Sequence, residues 1–126
     1  MPRKPQPVTD AELAVVKLLW ESEPLTVGAI LTRLYPAGSS SDRGTVQKLL
    51  QRLEAKGIVR RDRSSWPHTF RALITREVLA GQQIEAMAAK LTDGSLVPFI
   101  MHAVANQRLS PRERSAILDL LQRRKS

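Results

Sequence analysis

The sequence predicts a mostly α-helical chain with one small β-hairpin: three helices and the hairpin first, then helices only. Three observations carry this. Apolar residues recur at i, i+3, i+4 and i+7 over most of the 126 residues, the spacing of one helix face. Strand signals occur in one region, on either side of Ser64-Ser-Trp-Pro67, with β-branched residues beside charges before it and alternation at period two after it, as in two strands joined by a turn. Helix-start signatures stand ahead of apolar runs: Thr9-Asp-Ala-Glu12 and Ser110-Pro-Arg-Glu113 both read as capping boxes, the second with proline at the first helical position.

Residues 1–8 are proline-rich and basic and read as a loose arm, with order beginning at Thr9. The first helix carries Leu13, Val15, Val16, Leu19 and Trp20 and ends near Glu21, with Trp20 as a core anchor. Thr26 is placed to cap a short second helix, Val27 to Leu34, whose Val27, Ile30, Leu31 and Leu34 share a face. A loop rich in turn formers, Tyr35 to Ser41, follows. The third helix is expected at about 43–56, with Ser41 or Asp42 as cap and Gly57 as the left-handed residue after its end. Its Val46, Leu49, Leu50 and Leu53 form an apolar stripe, while Thr45, Gln47, Lys48, Gln51 and Arg52 face elsewhere. The hairpin spans about 58–73, with β-branched residues beside charges in Ile58 to Arg63 and alternation in His68 to Leu73. Trp66 at its turn reads as a packing anchor for the hairpin, with a wedge against a nucleic-acid sugar edge as the alternative. Helix, helix, helix, hairpin is the plan of a winged helix, so 9–74 is expected to form such a domain.

From Thr75 the spacing is helical again through Val78, Leu79, Ile84, Met87 and Ala88 to about Lys90, interrupted at Gly81 and broken by Thr92-Asp-Gly94. Ser95 is placed to cap an apolar segment from Leu96 to Val104. A last helix carries Ile117, Leu118 and Leu121 into the basic tail Arg123-Arg-Lys-Ser126. Residues 75–126 hold more aliphatic side chains than a bundle of about 50 residues buries alone. They are therefore expected to form a helical dimerisation domain, with Leu96, Phe99, Ile100, Ile117, Leu118 and Leu121 against a second copy.

The net charge is +8, from 20 Lys and Arg against 12 Asp and Glu, which favours a polyanionic partner. Residues 43–63 alone hold seven basic against two acidic side chains, so the charge is densest at the third helix and hairpin. The polar side of that helix carries Gln, Lys, Arg and Thr, which can bond base edges and phosphates in a DNA major groove. No cysteine is present, which excludes disulfides and thiolate metal sites and suits a reducing compartment. No apolar run approaches the ~20 residues of a membrane span, and Met1-Pro-Arg-Lys-Pro-Gln-Pro lacks the apolar segment of a signal peptide, so a cytoplasmic protein without membrane insertion is expected. His68 and His102 read as structural side chains; with no phosphate loop, nucleophile elbow or paired metal motif, the expectation is no enzyme, no cofactor and no metal. A winged helix used for protein contact or RNA is the competing reading. Aromatic content of 4% leaves little for the stacking platform that exposed RNA bases require.

Thr9-Asp-Ala-Glu-Leu-Ala-Val-Val-Lys-Leu-Leu-Trp20, Thr45 to Leu53 with Lys56-Gly-Ile-Val-Arg-Arg61, and the Thr92-Asp-Gly94 break together resemble the penicillinase-repressor family of β-lactamase, methicillin-resistance and copper-responsive repressors. The resemblance covers nearly the whole chain in matching order. It implies a dimeric winged-helix repressor of transcription bound to double-stranded operator DNA of dyad symmetry. It places base reading on Thr45, Gln47 and Lys48, and backbone contacts on Arg52 and the wing's Arg60, Arg61 and Arg63. Arg43 and Gln51, on the same polar side of the helix, are added to the backbone set. Copper sensing through a C-terminal cysteine cluster does not carry over to a chain without cysteine. The β-lactamase branch implies a membrane sensor protease and cleavage of an Asn-Phe bond in the dimerisation domain. The matching position here is near His102-Ala103, and that pair is absent.

Overall fold

The computed structural model describes residues 6–123; residues 1–5 of the expected arm and 124–126 of the basic tail lie outside it. The elements are α1 (Asp10–Ser22), β1 (Leu25–Thr26), α2 (Val27–Leu34), α3 (Ser40–Ala55), β2 (Val59–Asp62), β3 (Thr69–Ala72), α4 (Arg76–Leu91), α5 (Val97–Ala105) and α6 (Pro111–Arg123). They fall into two compact units that divide between Met87 and Ala88. The division lies inside α4, past the expected boundary at 74/75, because Leu79 on the first turn of α4 is buried in the core of the first unit.

That core is made by one face of each helix. Val15, Val16 and Leu19 of α1, Ile30 of α2 and the stripe Val46, Leu49, Leu50 and Leu53 of α3 are all buried. Each such side chain contributes about 1.5–3 kcal/mol by leaving water. The hairpin closes the cluster through Ile58, Val59 and Phe70. The sheet has three antiparallel strands in the order β1-β3-β2, so the wing is anchored on a strand that the sequence did not announce. Two residues are too few to show an alternation. β1 exists because Leu25 pairs with Phe70 and Thr26 with Thr69, and Phe70 thus sits in the middle of the sheet with Arg61 on its other side.

The helix ends follow local chemistry. Thr9 and Glu12 form the expected box: Glu12 N–H donates to Thr9 Oγ1 at 3.1 Å and Thr9 N–H to Glu12 Oε1 at 2.9 Å. The cap of α3 is Ser39, a turn residue ahead of the expected Ser41 or Asp42. Asp42 stands at the third helical position, where its carboxylate accepts the Ser39 N–H at 3.1 Å. The C-terminal end of α3 closes as expected at Gly57, with φ of +76°. Ile58 N–H reaches Leu53 O and Gly57 N–H reaches Glu54 O, both at 3.0 Å, and buried Ile58 and Leu53 complete the motif. Only a residue tolerant of positive φ fits there, and it turns the chain straight into β2.

Among the described residues Glu12 is also the one charged side chain that is fully buried, at 0% exposure. Lys56 Nζ, at the C-cap of α3, donates to both of its carboxylate oxygens at 2.8 Å and to Pro7 O at 2.8 Å. Burial pushes the Glu12 carboxyl up. The bonds from Lys56 and Thr9, with the lysine charge, outweigh that and hold it below the ordinary glutamate value of 4.5. Order therefore begins before Thr9. Val8 N–H donates to Gln83 Oε1 and Gln83 Nε2 to Gln6 O, which ties the arm to α4 as well.

The second unit differs. α4 runs unbroken through Gly81 and ends at Asp93 and Gly94, whose φ values are 51° and 90°. The first cap residue of α5 is Leu96 in place of the expected Ser95, and the helix starts one residue later; Ser95 Oγ accepts the Val97 N–H at 3.3 Å. The capping box of α6 is present: Ser110 N–H donates to Glu113 Oε1 at 2.9 Å and Glu113 N–H to Ser110 Oγ at 3.1 Å. Neither α5 nor α6 has a buried residue.

Lys56→Met strands a buried carboxylate and is expected to cost roughly 3–5 kcal/mol in urea unfolding at neutral pH, with much of the loss recovered when Glu12→Gln is added. Because the folded Glu12 pKa is depressed, its contribution is fully present above 4.5 and is lost as pH falls through the lower, folded value. Unfolding midpoints followed down through that range should fall more steeply in the natural chain than in the double variant; parallel curves would remove Glu12 as the cause.

Candidate nucleic-acid interface

The face of α3 opposite its stripe is open. Arg43, Thr45, Gln47, Lys48, Gln51 and Arg52 are all exposed, while Val46, Leu49, Leu50 and Leu53 hold the other side. The side chains of Arg43, Gln47, Lys48, Gln51 and Arg52 have no hydrogen-bond or ion-pair partner among the described residues. Arg52, for which Glu54 or Glu12 were conceivable partners, pairs with neither, since Lys56 takes Glu12 and Arg61 takes Glu54. Thr45 differs: its hydroxyl donates to Ser41 O at 3.1 Å, one turn back. The proton is spent inside the helix, so Thr45 offers outward only an acceptor oxygen and a methyl group.

The wing arginines separate. Arg61 is half-buried, with Nη2 3.0 Å and Nε 3.3 Å from Glu54 Oε1 and its guanidinium 4.9 Å over the Phe70 ring. It fastens β2 to α3, and its charge is engaged there. Arg63 reaches Glu54 only at 4.0 Å and is largely exposed. Arg60 points to the opposite face of the sheet, because side chains alternate along a strand, and stands directly across from Arg71. Asp62, two residues further along β2 on the same face, stands near both. The Ser64 hydroxyl holds its carboxyl below the ordinary aspartate range, followed by the Ser64 N–H, with smaller help from Arg60 and Arg71.

Trp66 is the principal correction. It is 84% exposed and does not anchor the hairpin; its ring meets His68 edge-on at 5.0 Å and 80°. Phe70 fills the anchoring position instead, being the residue paired on both sides. Pro67 and the short 63–68 turn leave Trp66 no strand partner, and that is the signal in the sequence that it would stand out. With His68, Arg43, Gln47 and the start of α2 at Thr26 to Gly28, Trp66 borders a cleft of about 210 Å³ between α3 and the wing. The structure thus brings Arg43 and Gln47 together with the wing turn, and does not bring Arg60 there. Trp20, by contrast, is the expected anchor: half-buried, its indole N–H donates to Ile74 O at 3.0 Å.

No group of metal-ligating side chains occurs among the described residues. None of the described helices is long and apolar enough to cross a membrane.

The family model described as penicillinase repressor matches residues 8–123. The penicillinase repressor of Bacillus licheniformis is 22% identical over 126 residues, covering 100% of this chain and 97% of that protein. Among solved structures, a MarR family protein from Bacillus stearothermophilus superposes with a TM-score of 0.49 at 21% identity, covering 82% of this chain and 73% of its own. The PcaV transcriptional regulator from Streptomyces coelicolor, solved with its natural ligand, gives 0.45 at 20% identity, over 92% and 73%. With a family match over nearly its whole length, the chain belongs to the penicillinase-repressor family, which are DNA-binding transcriptional repressors and not enzymes.

Proposed function

We propose that the chain acts in the cytoplasm as a homodimer that represses transcription by binding an operator of dyad symmetry, with α3 in the major groove and the wing on the flanking backbone. The observation that carries this reading is the unpaired, donor-rich outer face of α3 on a helix whose other face is fully buried. In this reading Gln47 suits adenine, Lys48 suits guanine, and Thr45 offers a thymine its methyl or an amino group its lone pair. Arg43, Gln51, Arg52 and Arg63 hold phosphates. Arg61 positions the wing, Arg60 with Arg71 forms a separate basic ledge, and Trp66 lies against the sugar edge. A protein-contact module would not need a row of unneutralised donors on one helix.

The second unit supports a second copy. Phe99 is partly covered, and Leu96, Ile100, Ile117, Leu118 and Leu121 are exposed in the single chain, Leu121 at 61%. A face of this kind is what a homodimer interface buries. Cleavage by a membrane sensor protease is left out of the reading, because His102-Ala103 replaces the pair that the resemblance implies.

Binding of short duplexes at several salt concentrations tests the whole: log K should fall linearly with log salt, and a dyad operator should exceed random DNA by on the order of 10³ or more. Equal binding of the two would end the operator reading. Lys48→Ala is expected to lose roughly 1–3 kcal/mol on the preferred operator and to relax its sequence preference. Arg52→Ala should weaken every duplex alike and flatten the salt slope by about one unit. Trp66→Ala should lower affinity for operator and random duplex by the same factor without moving the melting temperature. For the dimer, sedimentation of Leu118→Asp should show monomer where the natural chain shows dimer; a natural chain that sediments as a monomer at micromolar concentration overturns it.

A further inference from the structure

The cleft between α3 and the wing holds a side chain that the repressor reading leaves unused. His68, expected from the sequence to be structural, is half-buried just ahead of β3, and its imidazole has no hydrogen-bond partner among the described residues. Its ring meets Trp66 edge-on at 5.0 Å, and both residues border the cleft of about 210 Å³. The charged side chains along the cleft are Arg43 from α3 and Arg61 from β2; the start of α2 and β3 contribute none, and no carboxylate borders it among the described residues. The Arg43 guanidinium is turned toward the α2 wall, its Nη1 standing 3.9 Å from the point that a Cβ on Gly28 would occupy.

Of the two arginines, Arg61 has its own carboxylate in Glu54, at 3.0 Å, whereas Arg43 has none. An imidazolium at His68 would add a further positive charge to a cleft that already holds Arg43, and nothing bordering the cleft would offset it. A phosphate does so. An anion beside an imidazole favours the charged ring and accepts the N–H that protonation creates. The volume, below the range of sites for drug-sized ligands, admits a group as small as a phosphate. The cleft is also bordered by Gln47, on the outer face of α3, so the anion that reaches it in the proposed complex is the DNA backbone.

We propose that this cleft takes a phosphate of the DNA backbone between Arg43 and His68, and that His68 binds it as the imidazolium, so that DNA binding takes up a proton. The proposal rests on the DNA reading and adds a pH response to it. Because the complex holds more protons than the free protein, affinity rises as pH falls through the imidazole range, by at most about tenfold per pH unit for each His68. Glu12, held below 4.5, stays ionised throughout that range, so the buried pair does not contribute. A fluorescein-labelled random-sequence duplex is titrated with the full-length chain at constant low salt. Expected are an affinity about five- to tenfold higher near pH 6 than near pH 8, a flattened profile in His68→Gln, and in His68→Lys a flat profile at the affinity that the natural chain reaches at the lower pH. A second readout needs no variant: of the chain's two histidines, followed by proton NMR, His68 should titrate at higher pH once duplex is added, while His102 on α5 stays where it was. Absence of binding at either pH overturns the DNA reading and the proposal together. Salt-dependent binding whose pH slope is equal in the natural chain and in His68→Gln, or a His68 titration unmoved by duplex, overturns the proposal alone.

Discussion

The first unit is organised around a carboxylate that has no way out to water. Glu12 is fully buried, and its oxygens are satisfied only by Lys56 Nζ and the Thr9 N–H. Without Lys56, Glu12 would be an uncompensated buried charge, costing several kcal/mol, so the fold is constrained to bring the lysine to it. Three segments meet there: the arm through Pro7 O, the start of α1 through Thr9, and the end of α3 through its C-cap lysine. A hydrophobic pair of equal volume could fill the space, but it would tolerate sliding and rotation that two 2.8 Å bonds do not. The pair thus fixes where α3 ends against α1, and the stripe Val46 to Leu53 then fixes how α3 is turned. On the other side of the same helix end, Glu54 takes Arg61 and fastens the wing. The C-terminal end of α3 is held from two directions, and its outer face is left uncommitted.

Much of this was legible in the sequence wherever one residue pattern had one physical meaning. The α3 stripe is such a case, since four aliphatic residues at i, i+3, i+4 and i+7 have no other economical arrangement. So is Gly57, where the turn into β2 needs positive φ. Patterns that depend on a distant partner were not legible. β1 is two residues long and exists only because β3 is beside it. Glu12 was readable as half of a capping box, but its second partner is 44 residues away and nothing local points to Lys56. Trp66 was misread because a large aromatic beside a turn is more commonly an anchor; in this sheet Phe70 already occupies the paired, central position. The boundary in α4 moved for the same reason: periodicity finds the helix, while tertiary burial of Leu79 decides which unit its first turns join.

Charge shows the difference between counting and placing. By count, residues 43–63 are strongly basic, seven Lys and Arg against two acidic side chains. By placement, the charges of Lys56 and Arg61 are consumed inside the fold, and Arg60 with Arg71 stands near Asp62 on the far face of the sheet. Arg43, Lys48 and Arg52 remain on the open side of α3, with Arg63 at its margin. A phosphate responds to unneutralised charge within about a Debye length, so the attraction that the interface exerts comes from these few and not from the net +8. The consumed arginine and lysine act earlier, by fastening the end of α3 to α1 and to the wing, which in the proposed complex would hold the others in register with a groove.

The two units answer the problem of apolar surface in opposite ways. The first closes on itself: its stripes meet one another, and the described residues leave no buried side-chain polar atom without a partner. The second does not close. Val97-Pro-Phe-Ile-Met-His-Ala-Val-Ala105 is apolar nearly all round, a composition that belongs to a helix surrounded by protein, yet no residue of it is buried in the single chain. α6 adds Leu118, Leu120 and Leu121, each more than half exposed. Left in water, such a surface would drive indiscriminate association, and a symmetric interface is the arrangement that removes it while limiting the assembly to two. A dimer also presents two α3 helices related by a two-fold axis, which is the symmetry that a dyad operator offers. The apolar excess of the second unit and the open polar face of the first are therefore complementary halves of the proposed function: the polar face would read a half-site, and the apolar face would bring two copies together.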